Sequence, residues 1–474
     1  MSEEPDWLYE SDDVLEYIRR FEDMIDRKAQ YFFDVHELEG IINYYIDVNS
    51  FSKAVAAAEY ACRLFPMSTT IQIKIAQLLI DRGKNVDALE LLLRIEQLES
   101  SNYEVFMLKG LALSQTGLIE EAAECFDKAA ELAGEDIKDE VLFNIGASYE
   151  QQNQFNIAVK YFLQALEENQ LNINVLYDLA YCYDRINDAE NSILFYNKYL
   201  DEDPFSDNVW FNLGTVYSRI QQNDKALEAY DFAIAINEMY GSAIYNKANI
   251  LSNLERYDEA LPEYLEFLKI EDTHVMVHCY IGECYEKLNR YDESLLFFEK
   301  AILLDPKCAD AWFGLGVVKM HAELYEESLQ CIKTALELNE DHTEYLYALG
   351  LVYMKLNDYE NGIRVFKQVV ELDPLDFEAW LNYSELLLTA NRLDSAIEIL
   401  HRACDFNYNN PDIILRLASY LFKQGEIKQG CGFLDRALNL DAECVEELYE
   451  LYPEAAINER IKNIIEKHFD QNPV

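Results

Sequence analysis

Two histidines, a cysteine and two acids come nearest to a chemical constellation in this chain. His274 and His278 are four residues apart, with Glu271, Asp272 and Cys279 close by. That spacing sets two imidazoles on one face of a helix, and imidazole, thiolate and carboxylate are the donors a zinc ion takes. The geometry needs both histidines inside the helix, however, and His274 falls just before it or at its first turn. His278 also stands where Trp210, Trp312 and Trp380 stand at multiples of 34 residues away. Packing is therefore the expectation, with no metal ligand and no cofactor.

Other catalytic signatures are missing. The chain has no Gly-x-x-x-x-Gly-Lys-[Ser/Thr] phosphate loop, no Gly-x-Ser-x-Gly elbow and no His-Glu-x-x-His zinc helix. With 88 Asp and Glu, adjacent acid pairs arise by chance and carry no information. The expectation is a protein that is not an enzyme. Ten cysteines form no Cys-x-x-Cys, and several recur at matching positions: Cys182 with Cys284, Cys125 with Cys331, Cys62 with Cys404. Small packing residues in a reduced compartment account for them.

Charge narrows the partners. Lys and Arg number 39, leaving a formal net charge of −49. Such a surface repels nucleic-acid phosphates and anionic membranes and attracts basic proteins. The opening Met1-Ser2-Glu3-Glu4-Pro5-Asp6 has neither the basic nor the apolar region of a signal peptide, and the apolar run Ile71 to Ile80 is broken by Gln72, Lys74 and Gln77. A soluble, cytoplasmic protein is expected, with no nucleic acid and no membrane among its partners.

What positions every one of these residues is a repeat. A small residue recurs at Ala76, Gly110, Gly146, Ala180, Gly214, Ala248, Gly282, Gly316, Gly350, Ser384 and Ala418, with Ile42 as a departure at the start. Each step is 34 residues except Gly110 to Gly146, which is 36, with the extra residues placed near Ala133-Gly134-Glu135-Asp136. Twelve residues after each comes a second small residue, such as Ala122, Ala226, Ser294 or Ser328. A small residue lets two helices approach closely. Pro66, Pro204, Pro306 and Pro374 mark the ends of second helices. The reading is three segments: an acidic N-terminal segment and capping helix over 1–34, twelve repeats over 35–444, and C-terminal capping helices and tail over 445–474. Val14, Ile18, Phe21 and Ile25 share a face in the first; Ile457, Ile461, Ile464 and Ile465 share one in the last.

The pattern resembles the tetratricopeptide repeat (TPR) family, most closely in Trp210-Phe211-Asn212-Leu213-Gly214 with Tyr217, Ala226, Tyr230 and Ala233. The resemblance implies an all-α, right-handed superhelical solenoid of antiparallel helix pairs whose first helices line a concave groove. It also implies that the residue three before the small one faces that groove: Met107, Phe143, Tyr177, Phe211, Tyr245, Cys279, Phe313, Tyr347 and Leu381. Beside these stand Asn144, Asp178, Asn212, Asn246 and Asn382. Asparagine is a weak helix former, so its return in mid-helix asks for a reason. A row of amides could pair with an extended peptide backbone while the rings take its side chains. The family's other mode, a lysine clamp on a C-terminal carboxylate, lacks its lysines here. The expectation is a scaffold or adaptor that binds a peptide or partner segment in the groove. Its alternatives are an acidic chaperone or sequestering factor for a basic protein, and a docking subunit of an enzyme complex.

Overall fold

A computed structural model describes residues 12–27 and 30–471, and among these there is no strand. The chain divides into two units between Glu238 and Met239. In the first, α1 (Asp12–Arg27) precedes six pairs: α2 (Val35–Asp47) with α3 (Phe51–Leu64), α4 (Thr69–Asp81) with α5 (Asn85–Glu96), α6 (Tyr103–Gln115) with α7 (Ile119–Leu132), α8 (Lys138–Gln151) with α9 (Phe155–Glu168), α10 (Ile173–Arg185) with α11 (Ala189–Glu202), and α12 (Asp207–Arg219) with α13 (Asn223–Ile236). The second holds six more: α14 (Gly241–Asn253) with α15 (Tyr257–Ile270), α16 (Val275–Lys287) with α17 (Tyr291–Leu304), α18 (Ala309–His321) with α19 (Tyr325–Leu338), α20 (Thr343–Lys355) with α21 (Tyr359–Leu372), α22 (Phe377–Thr389) with α23 (Leu393–Phe406), and α24 (Pro411–Gln424) with α25 (Ile427–Leu440). Short α26 (Val445–Leu451) and α27 (Glu459–Gln471) follow.

Local sequence sets these boundaries. Asp34 and Glu37 form a reciprocal capping box at the start of α2, with bonds of 2.8 and 2.9 Å. Asn172, Asp376 and Asn410 accept from the first turns of α10, α22 and α24. Within every pair the chain reverses through one left-handed residue, including Asn153, Asn187, Asn289, Gly83 and Gly117. Asn and Gly suit that conformation, whereas Gln221, Glu255 and Glu323 hold it against their preference. The 36-residue step has one residue more in the 133–137 loop and one more in α8 than the step that follows it has in the 169–172 loop and α10.

The recurring glycine has a definite partner. A Cβ placed on Gly146 would lie 2.6 Å from the ring of Phe162, and one on Gly214 would lie 2.8 Å from Tyr230. Gly110 and Gly350 face Phe126 and Phe366 in the same way. In each case the partner sits sixteen residues on, in the second helix. Phe298 is held from two sides, since added Cβ atoms would meet it at 2.9 Å from Gly282 and at 2.2 Å from Gly314 of the next repeat. The second small residue adds a bond: Ser294 and Ser328 donate to the carbonyls of Gly282 and Gly316, each at 2.7 Å. Trp210, Trp312 and Trp380 donate their indole N–H to the carbonyls of Pro204, Pro306 and Pro374, each at 3.0 Å, tying a first helix to the turn before it.

The ends differ in part from the sequence expectation. On α1, Ile18 and Phe21 are buried, but Ile25 in the last turn is 53% exposed because no neighbour covers it. Near the C-terminus Ile461 and Ile465 are buried, while Ile457 precedes α27 and is 79% exposed. No helix among the described residues is long and apolar enough to cross a membrane.

Two glycine substitutions test this packing in opposite directions. Gly314→Ala drives a methyl group into a ring that Gly282 prevents from retreating, and should cost about 1–3 kcal/mol. Gly432→Ala, inside α25 with nothing within 4 Å of the new atom, should stabilise by about 0.5–1 kcal/mol through helix propensity alone. Thermal or urea unfolding of both variants reads the contrast; equal effects would mean that the ring does not occupy the notch.

Candidate binding face

Within each unit, contacts that pass over a neighbouring helix join first helices to one another. They link α2 to α4, α4 to α6, α6 to α8 and α8 to α10 in the first unit, and α16 to α18, α18 to α20 and α22 to α24 in the second. First helices this close form the inner side of their stack, and residues on their common side share one surface.

In the first unit Phe143, Tyr177 and Phe211 are half-buried. Phe143 lies against Phe162 with ring centroids 5.8 Å apart, Tyr177 is edge-on to Tyr196 at 6.3 Å, and Phe211 lies against Tyr230 at 5.8 Å. Phe162 and Tyr230 are the rings that fill the glycine notches, so the internal packing also supports the surface aromatics. The amides are used unevenly. Asn212 Nδ2 donates to the Tyr177 hydroxyl at 3.2 Å, crossing from α12 to α10. Asn144 is exposed and has no side-chain hydrogen bond among the described residues, since the residue in Tyr177's place one repeat earlier is Met107.

Asp178 stands in the row between Asn144 and Asn212, with a carboxyl in place of the amide. Burial pushes its carboxyl up to about 6. Beside it Glu150 is pushed up to about 7, first by burial and then by the charge of Asp178, although the Cys182 thiol contacts it at 3.7 Å. Among the described residues neither acid has an ion pair. Burial therefore disfavours charge on both acids, and the charge of Asp178 disfavours it further on Glu150.

The second unit repeats parts of this design. Tyr245 packs against Phe267 at 5.4 Å and His274 at 5.8 Å, with Asn246 half-buried beside it. Phe313 stacks on Tyr345 at 4.5 Å, and Tyr345 donates to Asp310. Tyr347 donates to Glu378 at 3.1 Å and accepts from Asn382 Nδ2 at 2.9 Å, the same tyrosine–asparagine bond as in the first unit. Cys279 shares the register of these rings but is fully buried. Glu283 is pushed up to about 7 by burial, then by Asp310 and Glu344, against the pull of Lys287. Its surface remains accessible, so protein atoms and neighbouring acids surround the carboxyl without covering it.

The histidine cluster serves the backbone. His274 caps α16, its Nδ1 accepting from the Val277 N–H at 3.3 Å. His278 is fully buried against Phe297, with Nδ1 3.0 Å from the His274 carbonyl oxygen. No group of three His, Cys, Asp or Glu among the described residues could hold a metal ion. Sequence reasoning missed Glu150, Glu283, Asp310 and Glu344, and nothing in their local sequence separates them from the other acids.

Family models described as tetratricopeptide repeat match residues 73–137, 143–207 and 347–412, and further models of that description match 195–228, 241–274, 275–308 and 309–342. A search of curated proteins finds no match. Among solved structures, YrrB, described as a TPR protein with an unusual peptide-binding site, is 25% identical over 40% of this chain and 96% of its own, with a TM-score of 0.37. A MamA protein is 24% identical over 37% of this chain and 95% of its own, at a TM-score of 0.35. MamA from Desulfovibrio magneticus RS-1 is 21% identical over 36% and 97%, at 0.34.

The inner-side acids give the stack a pH dependence. Glu150 rises from 4.5 to about 7 on folding, so between those values the folded state holds a proton that the unfolded chain has released. Its contribution is fully present below about 4.5 and is lost as pH rises through 7. The melting temperature should therefore be higher at pH 5.5 than at pH 8, and Glu150→Gln should reduce that difference. An unchanged difference in the variant would place Glu150 in ordinary solvent.

Proposed function

The chain belongs to the tetratricopeptide-repeat family, and from that premise we propose that each unit holds an extended segment of a partner protein along the inner side of its first helices. Repeats of this family build protein-interaction scaffolds. The half-buried rings supply apolar seats, and Asn144 supplies an amide for the segment's backbone. Lysine or arginine side chains of the segment meet the inner-side acids. The observation that carries this reading is the Glu150–Asp178 pair, two half-buried acids whose carboxyls burial pushes up and which have no ion pair among the described residues. A guanidinium or ammonium group between them would restore the charged forms and gain charge-assisted hydrogen bonds. Residues 35–444 act in this reading as the binding solenoid, with α1 and α27 covering its ends. In this reading the chain binds its partner segment without transforming it.

A second reading is favoured by the net charge of −49: sequestration of a strongly basic protein by the overall field. Salt separates the two, because attraction between exposed charges fades as the Debye length falls from about 10 Å at 0.1 M to about 3 Å at 1 M.

The test uses short immobilised peptides that vary in lysine, arginine and aromatic content. Retained sequences should carry basic residues within an extended, partly apolar segment. Glu150→Gln with Asp178→Asn should weaken the best of them about tenfold or more, as expected for lost bonds to charged groups. Asn144→Ala should weaken binding by a smaller factor while leaving the melting temperature unchanged or raised, since alanine is the better helix former. Equal retention of acidic peptides, or full affinity in the double variant, would contradict the site. Binding that collapses in salt and ignores all three substitutions would favour sequestration.

A further inference from the structure

In the second unit the sulfurs of Cys279 and Cys308 lie 3.8 Å apart, both in the core. Cys279 is on α16 and Cys308 is the N-cap of α18, so the pair bridges two consecutive repeats. The two are not equivalent. Cys279 is fully buried, whereas Cys308 keeps 9% of its surface. The Cys279 S–H, and after it the backbone N–H of Ala311 in the first turn of α18, bring the Cys308 thiol down to about 7 against its own burial. Cys279 is pushed up by that same sulfur and by burial. A thiolate at a helix start with a thiol in contact is the arrangement found at oxidation-sensitive cysteines.

We propose that Cys279 and Cys308 form a reversible oxidation site, a dithiol that closes to a disulfide on exposure to a peroxide. The Cys308 thiolate attacks one peroxide oxygen; an S–O bond forms, the O–O bond breaks, and hydroxide leaves. The resulting sulfenic acid is then attacked at sulfur by Cys279. The S–S bond forms, the S–O bond breaks, and the departing hydroxyl leaves as water with the Cys279 proton. Counted from the two thiols, two electrons and two protons pass to the peroxide, which ends as two waters. The sulfurs must close from 3.8 Å to about 2.05 Å. The bond would fasten α16 to the start of α18, beside the ring of Phe298 that already lies between them. The inference does not depend on what the inner side binds.

Treatment of the reduced full chain with hydrogen peroxide, followed by alkylation and peptide mapping, tests it. The expected result is a Cys279–Cys308 linked peptide, a fall in titratable thiols from ten to eight, a raised melting temperature, and reversal of all three by dithiothreitol. Cys279→Ser should stop at a Cys308 sulfenic acid that dimedone captures, and Cys308→Ser should leave Cys279 a thiol. Mapping of the wild-type chain decides the matter even if a variant fails to fold. Recovery of both cysteines as free thiols, or of Cys308 as sulfinic acid without the crosslink, would overturn the proposal.

Discussion

The contact on which the stack depends is a ring set into the notch left by a glycine. Phe298 shows it most fully, because Gly282 of its own repeat and Gly314 of the next both face it at distances that exclude a Cβ. Glycine inside a helix costs roughly 1 kcal/mol against alanine. Full burial of a phenylalanine side chain contributes about 1.5–3 kcal/mol, enough to offset that cost. The arrangement tolerates variation: at Gly316 the notch is filled by Ile332, and where Ala180 and Ala248 replace the glycine, Tyr196 and Tyr264 sixteen residues on are still fully buried. Because each repeat contacts chiefly its neighbours, a notch shared between two repeats joins them in stability as well as in space.

The same contact sets the inner side. Phe162 and Tyr230 fill their notches from one direction and support Phe143 and Phe211 from the other. Hydrogen bonds then bind successive first helices together where chemistry permits, from Asn212 to Tyr177 and from Asn382 to Tyr347. Where the tyrosine is absent, as before Asn144, the amide stays available. The half-buried acids Glu150 and Asp178 add a second property. Burial pushes both carboxyls up, and the charge of Asp178 adds to the effect on Glu150.

Much of the architecture could be read from the chain. The 34-residue step, the small residues and the turn prolines define the helix pairs, and tetratricopeptide repeats follow from them. The ring partners were harder to read, since Phe298 faces Gly282 by sixteen residues and Gly314 by a contact between repeats. Comparing repeats position by position also conceals the tyrosine–asparagine bonds, whose partners are 35 residues apart, one more than the period. The link from Trp210 to Pro204 was not read from the chain, because it needs the indole N–H and the carbonyl to be placed. Helical spacing overstated the ends: Ile25 and Ile457 fit an apolar stripe, yet neither is covered. The acids of the inner side were beyond sequence reasoning, because burial alone separates Glu150 from dozens of solvated glutamates.

A segment bound along the inner side lies against the first helices and leaves the second helices untouched. Hydrogen exchange of the full chain, free and saturated with a retained basic peptide, distinguishes the two faces. Slowed exchange in α8, α10 and α12 with α9 and α11 unchanged is the predicted result; slowing confined to α9 and α11 would contradict it.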